Sequence, residues 1–118
     1  MKIPEETKKL LENKVVTIGS SGKYPNVTPV LFCKVTDDQV IITHNFMNET
    51  IKNILKNNKI CLAVWDETPN KEFGYKLFGT AKYYHKGKWF RFVKKMKENK
   101  GLPTKGAVIF VPNKIKKI

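Results

Sequence analysis

One short segment carries most of the residues in this sequence that could bind a charged ligand. It reads Thr43-His44-Asn45-Phe46-Met47-Asn48-Glu49-Thr50 and lies where a strand-like pattern changes into a helical one. The amides of a helix's first turn bind anions, and Asn48 and Thr50 could add side-chain hydrogen bonds. The segment is therefore a candidate phosphate site. The octapeptide alone favours the alternative, an ordinary helix start with Asn48 as its cap.

Other chemical motifs are absent from the sequence. It has no glycine-rich phosphate loop, no nucleophile elbow and no paired-cysteine or HExxH spacing, and its two histidines, His44 and His85, are far apart. This pattern argues against a hydrolase or a zinc enzyme and predicts no metal site. A histidine at a strand end is at least as often a hydrogen-bonding residue as a proton shuttle. We therefore assign His44 to ligand contact, and no residue is assigned to catalysis.

The formal charge of +13 raises the question of a polyanionic partner. Arg91 is the only arginine among 23 basic residues, and the lysines are spread along the whole chain. Specific phosphate and base recognition favours the bidentate guanidinium group. The charge alone therefore does not predict a nucleic-acid binder, and solvated lysines are the default interpretation.

Length and composition predict a single domain over residues 1–118. The charged residues within Met1–Leu11 exclude the apolar core of a secretion signal, and no uncharged run approaches the ~20 residues of a membrane span. We therefore expect a cytoplasmic protein with no membrane association. Cys33 and Cys61 each lie in an apolar run, which predicts buried free thiols.

Periodicity places the segment within an arrangement of helices and short strands. Helices are predicted at Pro4–Asn13, Asn48–Asn58 and Lys88–Lys100, and strands at Lys14–Gly19, Asn26–Val35, Gln39–Thr43, Ile60–Trp65, Phe73–Tyr84 and Ala107–Val111. Gly79, inside a long alternating strand, predicts a bend or bulge, and the tail Lys114–Ile118 is expected to be solvated. Short strands on hairpin connections are typical of a small antiparallel β-barrel with helices at its openings.

The block from Val27 to Trp65 resembles the flavin-binding half of the pyridoxamine phosphate oxidase-like split barrels. The resemblance is carried by Thr28-Pro29-Val30-Leu31-Phe32, Ile41-Ile42-Thr43-His44-Asn45, Asn48-Glu49-Thr50-Ile51-Lys52-Asn53-Ile54 and Asn57-Asn58-Lys59-Ile60. Leu77-Phe78-Gly79-Thr80-Ala81 is similar to a later barrel strand of the family, so the resemblance spans nearly the whole chain. It implies a mainly β fold with α: a six-stranded antiparallel split β-barrel with flanking helices.

The resemblance also implies a cofactor, FMN, and an oligomeric state, a homodimer with flavin between the protomers. By position, Thr28, Pro29, Val30 and Leu31 would lie along the flavin and ribityl chain. Thr43 and His44 would meet the ring and ribityl chain, and Asn48, Glu49 and Thr50 would surround the phosphate. The function implied is a flavoprotein, an oxidoreductase or electron-transfer protein, that exchanges electrons with a small-molecule or protein partner not identified by the sequence.

Two residues depart from the family pattern. Glu49 stands where many relatives carry a basic residue, and a carboxylate 4 Å from a phosphate charge is repulsive by about 1–4 kcal/mol. Lys52, one turn later, could supply the missing charge. Thr28 stands where the long oxidases have an arginine, which argues against pyridoxamine phosphate as substrate. Two alternatives stay open: a non-catalytic split-barrel binding module with weak or no FMN binding, and a polyanion or nucleic-acid binder.

Overall fold

A computed structural model describes residues 1–67 and 73–118. Its helices are α1 (Glu5–Asn13), α2 (Asn48–Lys56) and α3 (Lys88–Lys94), with a short 3-10 helix at Lys97–Asn99. Its strands are β1 (Val16–Ser20), β2 (Asn26–Val30), β3 (Cys33–Val35), β4 (Val40–His44), β5 (Lys59–Asp66), β6 (Phe73–Tyr84) and β7 (Gly106–Lys117). Within these described residues, no helix is both long enough and apolar enough to cross a membrane.

All the strand pairs form one curled antiparallel sheet in the order β2-β1-β5-β6-β7-β4-β3. This confirms the predicted fold class, mainly β with α and split-barrel in form, although the sheet has seven strands where the sequence predicted six. The difference arises because the predicted strand Asn26–Val35 is interrupted at Leu31 and Phe32. Its first part pairs with β1 and its second with β4, at opposite edges of the sheet.

The core lies on the inner face of the curled sheet. Alternate residues of the central strands point inward, and Ile18, Leu62 and Leu77 are fully buried. The apolar stripes of α1 and α2 cover this face with Leu10, Leu11, Ile51 and Ile54. Burying each such side chain contributes about 1.5–3 kcal/mol, so the packing of both helices stabilises the sheet that they cover.

The longest strand pair, β6 with β7, contains the irregularity predicted at Gly79. The register shifts between Phe78 and Gly79, and a Cβ at Gly79 would collide with the backbone of Val111 and Pro112. Strand β7 continues to Lys117, beyond the predicted end at Val111, because residues after Pro112 pair with the first half of β6. The lysines of the tail are exposed as expected, but its backbone belongs to the sheet.

Two other local predictions need correction. The last helix ends at Lys94 instead of Lys100 and is followed by the 3-10 helix. Cys33 is buried, and burial is the main reason why its pKa is raised to about 12. Cys61 is only half-buried, because it lies on the outer face of β5, so the prediction of two buried thiols was wrong for this residue.

Candidate functional site

The ends of β2 and β4 enclose a small cavity of about 100 Å³. Its walls come from two stretches of chain: Thr28, Pro29, Val30, Leu31 and Phe32 on one side, and Thr43, Asn45, Phe46 and Met47 on the other. The five predicted ligand contacts Thr28 to Leu31 and Thr43 are therefore brought together. Val30 is also part of the core, whereas Leu31 and Phe46 are exposed.

A buried asparagine from the far end of the chain supports this cavity. Asn99 is 3% exposed, and its Nδ2 donates to Thr43 Oγ1 at 3.0 Å and to the Val93 carbonyl at 2.7 Å. Its Oδ1 accepts from Asn45 Nδ2 at 3.3 Å. Sequence reasoning missed Asn99, because an asparagine in a polar, lysine-rich stretch has no local feature that marks it as buried.

His44, which is 5% exposed, joins β4 to the start of α2. Its Nε2 lies 2.8 Å from Asn48 Oδ1, and its Nδ1 lies 2.7 Å from the Tyr83 hydroxyl. Gly106 leaves room for this arrangement, since a Cβ there would lie 2.5 Å from the Tyr83 hydroxyl oxygen. The predicted contact residue is thus fixed on both ring nitrogens.

Lys105 determines the hydrogen-bond directions in this group. Its ammonium donates to Asn48 Oδ1 at 3.2 Å, and a lysine can only donate, so the amide oxygen of Asn48 must face it. The same oxygen then accepts from His44 Nε2, which must carry the proton. Nδ1 of His44 is left as an acceptor for the Tyr83 hydroxyl at 2.7 Å, and the same hydroxyl also lies within hydrogen-bond distance of the Lys105 carbonyl at 3.4 Å. Burial raises the pKa of Tyr83, so that the hydroxyl keeps its proton. The Asn48 Nδ2 group therefore points away from His44, Lys105 and Tyr83.

The neutral form of His44 agrees with its electrostatic surroundings. Burial is the largest influence and lowers its pKa, Lys105 lowers it further, and the hydrogen bond with Asn48 acts in the opposite direction. A neutral imidazole with a defined tautomer is suited to positioning its neighbours.

The helix start differs from the one expected from the sequence. Met47 is the N-cap residue and Asn48 the first helical residue, and no side chain among the described residues caps α2. Helix geometry gives the Glu49 and Thr50 amides no intrahelical acceptor, because they belong to the first turn. The predicted cap, Asn48, instead accepts hydrogen bonds from His44 and Lys105.

The other two residues of the predicted phosphate site lie on different sides of α2. The Glu49 side chain is 66% exposed, and its carboxylate lies 4.0 Å from the ammonium of Lys52. Lys52 therefore pairs with Glu49. Thr50 is buried, and its hydroxyl accepts a hydrogen bond from Asn26 Nδ2 at 3.0 Å. The Thr50 side chain thus joins α2 to β2.

A larger cavity of about 490 Å³ lies elsewhere, at the end of β1, the starts of β2 and β5 and the bulge in the middle of β6. It contains none of the predicted site residues, and its walls include the exposed side chains of Val27 and Phe78. We regard the smaller cavity as the candidate site in spite of its size, because the amides of α2 and the ordered polar side chains lie beside it.

The larger cavity opens onto an apolar face, which we call the outer sheet face. In the strand register, Gly19 lies between Val27 and Cys61, and Cys61 lies opposite Phe78. In the next row, Thr17 lies between Pro29 and Ala63. Val15, Val27, Trp65 and Phe78 are 70%, 69%, 42% and 38% exposed. Lys76, opposite Ala63, and Lys114, opposite Phe78, border these apolar side chains on β6 and β7. An apolar surface of this kind is typical of an interaction site.

Among residues 1–67 and 73–118, no three histidine, cysteine or acidic residues are grouped so that they could hold a metal ion. The site brings together a helix start, a lysine and an ordered amide beside a small cavity. Hydrogen-bond donors arranged in this way at a helix start are suited to an anionic group.

Comparison with known proteins identifies the family. The family model for pyridoxamine 5'-phosphate oxidase matches residues 3–117, so the chain belongs to the pyridoxamine 5'-phosphate oxidase family. An uncharacterised protein of Methanocaldococcus jannaschii is 38% identical over 117 residues, covering 92% of this chain and 76% of the relative.

Solved structures share the fold over almost the full chain. The structure of HupZ from Group A Streptococcus superposes with a TM-score of 0.87 at 25% identity, covering 98% of this chain and 94% of the other. An FMN-binding protein from Syntrophomonas wolfei superposes with a TM-score of 0.78 at 15% identity, covering 97% and 84%. The resemblance inferred from the sequence is thereby confirmed as family membership.

The donor set at the start of α2 fits the phosphate end of FMN. Two first-turn amides, the Asn48 Nδ2 group and the Lys105 ammonium are all hydrogen-bond donors, and a phosphate group offers only acceptors. The Glu49 carboxylate is directed to Lys52 and solvent. The residues present therefore fit the group that the family implies.

Proposed function

We propose that this protein is an FMN-binding flavoprotein that acts as an oxidoreductase or electron-transfer protein. The observation that carries the proposal is the concentration of donors at the start of α2, directly beside the cavity formed by Thr28–Phe32 and Thr43–Met47. A phosphate held by the helix start would direct the rest of the cofactor along β2 and β4. Family membership and an FMN-binding structural neighbour support the same cofactor.

FMN would supply the redox chemistry, and the protein would supply position and surroundings. Thr28 and Pro29 would lie along the ribityl chain and ring, and Leu31 and Phe46 would exclude water from one side of the ring. Thr43, held by Asn99, would orient the ribityl end, while neutral His44 holds Asn48 in place.

We further propose that a second copy of the chain completes the site. Ligand pockets usually have volumes of about 300–1,000 Å³, so a cavity of about 100 Å³ can enclose only part of a flavin. Pro29 lines this cavity and also lies on the outer sheet face. Two copies that stack through that face would bury their apolar side chains and enlarge each cavity with a wall from the partner.

The electron donor and acceptor would be a small molecule or a protein, and the excess of lysine favours anionic ones. The absence of an arginine at position 28 supports a reaction other than oxidation of pyridoxamine phosphate.

The proposal is tested by the absorption spectrum of the purified protein and by titration of the stripped protein with FMN. We expect a flavin spectrum or, after stripping, saturable FMN binding at micromolar protein with one FMN per chain. A colourless protein that binds no FMN at this concentration would refute the proposal. It would leave the non-catalytic module or the polyanion binder, and the latter would show a steep loss of nucleic-acid affinity with salt.

A further inference from the structure

The segment from Lys82 to Lys105 concentrates the positive charge of the chain. It holds nine of the 23 basic residues and one of the ten acidic residues, Glu98, so it supplies +8 of the net charge of +13. All nine basic residues are exposed. Within the part of the chain that the structure describes, none of them forms an ion pair. The mutual repulsion of these cations would be relieved by an anionic partner.

Helix α3 presents the middle of this segment to solvent. Val93 packs with Ile41 of β4 and Ile109 of β7, so one side of the helix covers the face of these strands that is turned away from the main core. Arg91 and Lys94 lie on the exposed side, about one helical turn apart. Arg91 is the only arginine of the chain, and its guanidinium group can donate two parallel hydrogen bonds to a phosphate. The fold thus places this arginine where a phosphate can reach it.

Aromatic rings lie on both sides of Arg91. Successive residues of a helix are rotated by about 100°, so Phe90 lies on one side of Arg91 and Phe92 on the other. The ammonium of Lys94 lies 5.3 Å from the centre of the Phe90 ring, which holds this cation beside Arg91. Phe92 is 41% exposed. A ligand at Arg91 would therefore also meet an aromatic ring.

The order of side chains across α3 indicates which kind of anion fits it. An amphipathic helix that lies on a bilayer buries a continuous apolar face and keeps its cations at the border. On α3 the order is reversed, because Arg91 lies between the two phenylalanines. A nucleic-acid strand combines a row of phosphates with bases that stack on aromatic rings, and the bases are free to do so when they are unpaired.

We propose that the exposed side of α3 binds single-stranded nucleic acid, with Arg91 and Lys94 on the phosphates and Phe92 against a base. The total charge and the spread of lysines along the sequence do not predict such a surface, and its basis is the arrangement of side chains on α3. None of the described residues that line the small cavity belongs to α3. The inference is therefore independent of the proposed flavin site.

The experiment titrates a fluorescent oligothymidine of about 15 nucleotides with the full chain and follows its fluorescence anisotropy. The wild type should bind at micromolar protein. If about four phosphates are neutralised, the logarithm of the affinity should fall with the logarithm of the salt concentration at a slope of about −3. A duplex of the same length should bind more weakly, because its bases are not free to stack on Phe92.

Paired substitutions separate the α3 surface from the overall charge. The double variant Arg91→Gln, Lys94→Gln should bind the oligonucleotide about tenfold more weakly and with a shallower salt slope. The double variant Lys9→Gln, Lys23→Gln removes the same charge from exposed positions on α1 and on the β1–β2 connection, and it should bind as the wild type does. An equal loss of affinity in both double variants would show that only net charge matters and would overturn the inference.

The aromatic contact has a test of its own. Phe92→Ala should weaken binding about tenfold through the loss of stacking and leave the salt slope unchanged, with a melting temperature close to that of the wild type. Leu55→Ala, at an exposed apolar residue of α2, is the control and should bind normally. A wild type that does not bind the oligonucleotide, or that binds the duplex equally well, would overturn the inference. Sedimentation with phosphatidylglycerol vesicles in place of oligonucleotide binding would also overturn it, in favour of a membrane surface.

Discussion

At the scale of single residues, the geometry of the candidate site depends on the uncharged side chain of His44. Its two ring nitrogens form hydrogen bonds with Asn48 on α2 and Tyr83 on β6, and its carbonyl accepts a hydrogen bond from the Lys105 N–H. A neutral ring with the proton on Nε2 satisfies both neighbours. Protonation would add a positive charge next to Lys105, in a buried place, which explains why the pKa of His44 is lowered.

This predicts a pH dependence of stability. A histidine whose pKa is lowered by folding takes up fewer protons in the native state than in the unfolded state. Its contribution to stability is therefore present above the ordinary value of 6.5 and is lost as the pH falls through the lower native pKa. Thermal unfolding followed by circular dichroism should give a melting temperature that decreases from pH 7 towards pH 5.

The control compares substitutions of the two histidines of the chain. His44→Gln should flatten this decrease, whereas His85→Gln, at an exposed position, should leave it unchanged. The same slope in His44→Gln as in the wild type would show that other groups cause the pH dependence.

At the scale of elements, the long β6–β7 pair extends from the candidate site to the C-terminal residues. At one end Tyr83 contacts His44, and at the other the C-terminal residues pair with the start of β6. The bulge at Phe78 and Gly79 lies between the two halves and accommodates Pro112, which has no N–H to contribute to a regular ladder.

Gly79→Ala should therefore destabilise the fold. The added methyl group would meet the backbone of β7, which cannot move as a flexible side chain can. Overpacking of this kind costs about 1–3 kcal/mol, measurable as a lower midpoint of denaturant unfolding. Gly19→Ala is the matched control, since its Cβ would lie at an ordinary 3.8 Å from the Cys61 carbonyl oxygen, and it should change stability little. Equal midpoints for the two variants would contradict the account of the bulge.

At the scale of the whole molecule, the outer sheet face and the small cavity are both part of the proposed dimer. A chain with a net charge of +13 repels its own copies, so a self-association surface has to be poor in charge. The part of the outer sheet face on β1 and β5 meets this condition, with Thr17, Gly19, Cys61 and Ala63 side by side. The exposed Lys76, opposite Ala63 on β6, marks the edge of this part.

Ala63→Arg should therefore dissociate the proposed dimer. Two symmetry-related arginines would be forced into an apolar interface, which should weaken association at least about a hundredfold. Light scattering coupled to gel filtration should show a dimeric wild type and a monomeric variant, and the variant should bind FMN more weakly. Leu55→Arg adds the same charge at an exposed apolar residue of α2 and should remain dimeric. A wild type that is monomeric at micromolar concentration would refute the dimer.

The sequence by itself determined the features that depend on neighbours along the chain. Alternating and helical patterns predicted the helices and strands, Gly79 predicted a bend or bulge, and the change of pattern at Thr43–Thr50 predicted the helix start at the candidate site. Only the tertiary structure decided which distant residues complete that site. Lys105 lies 57 residues from Asn48, and Asn99 lies 56 residues from Thr43, so no local pattern connects them.

The breaks and extensions of strands also depend on residues that are distant in the sequence. The division of Asn26–Val35 and the continuation of β7 to Lys117 depend on which strand lies alongside, and local periodicity carries no information about a partner strand. The helix start of the proposed phosphate site at Thr43–Thr50 was thus predicted from the sequence, whereas its lysine and its ordered amide were identified only from the fold.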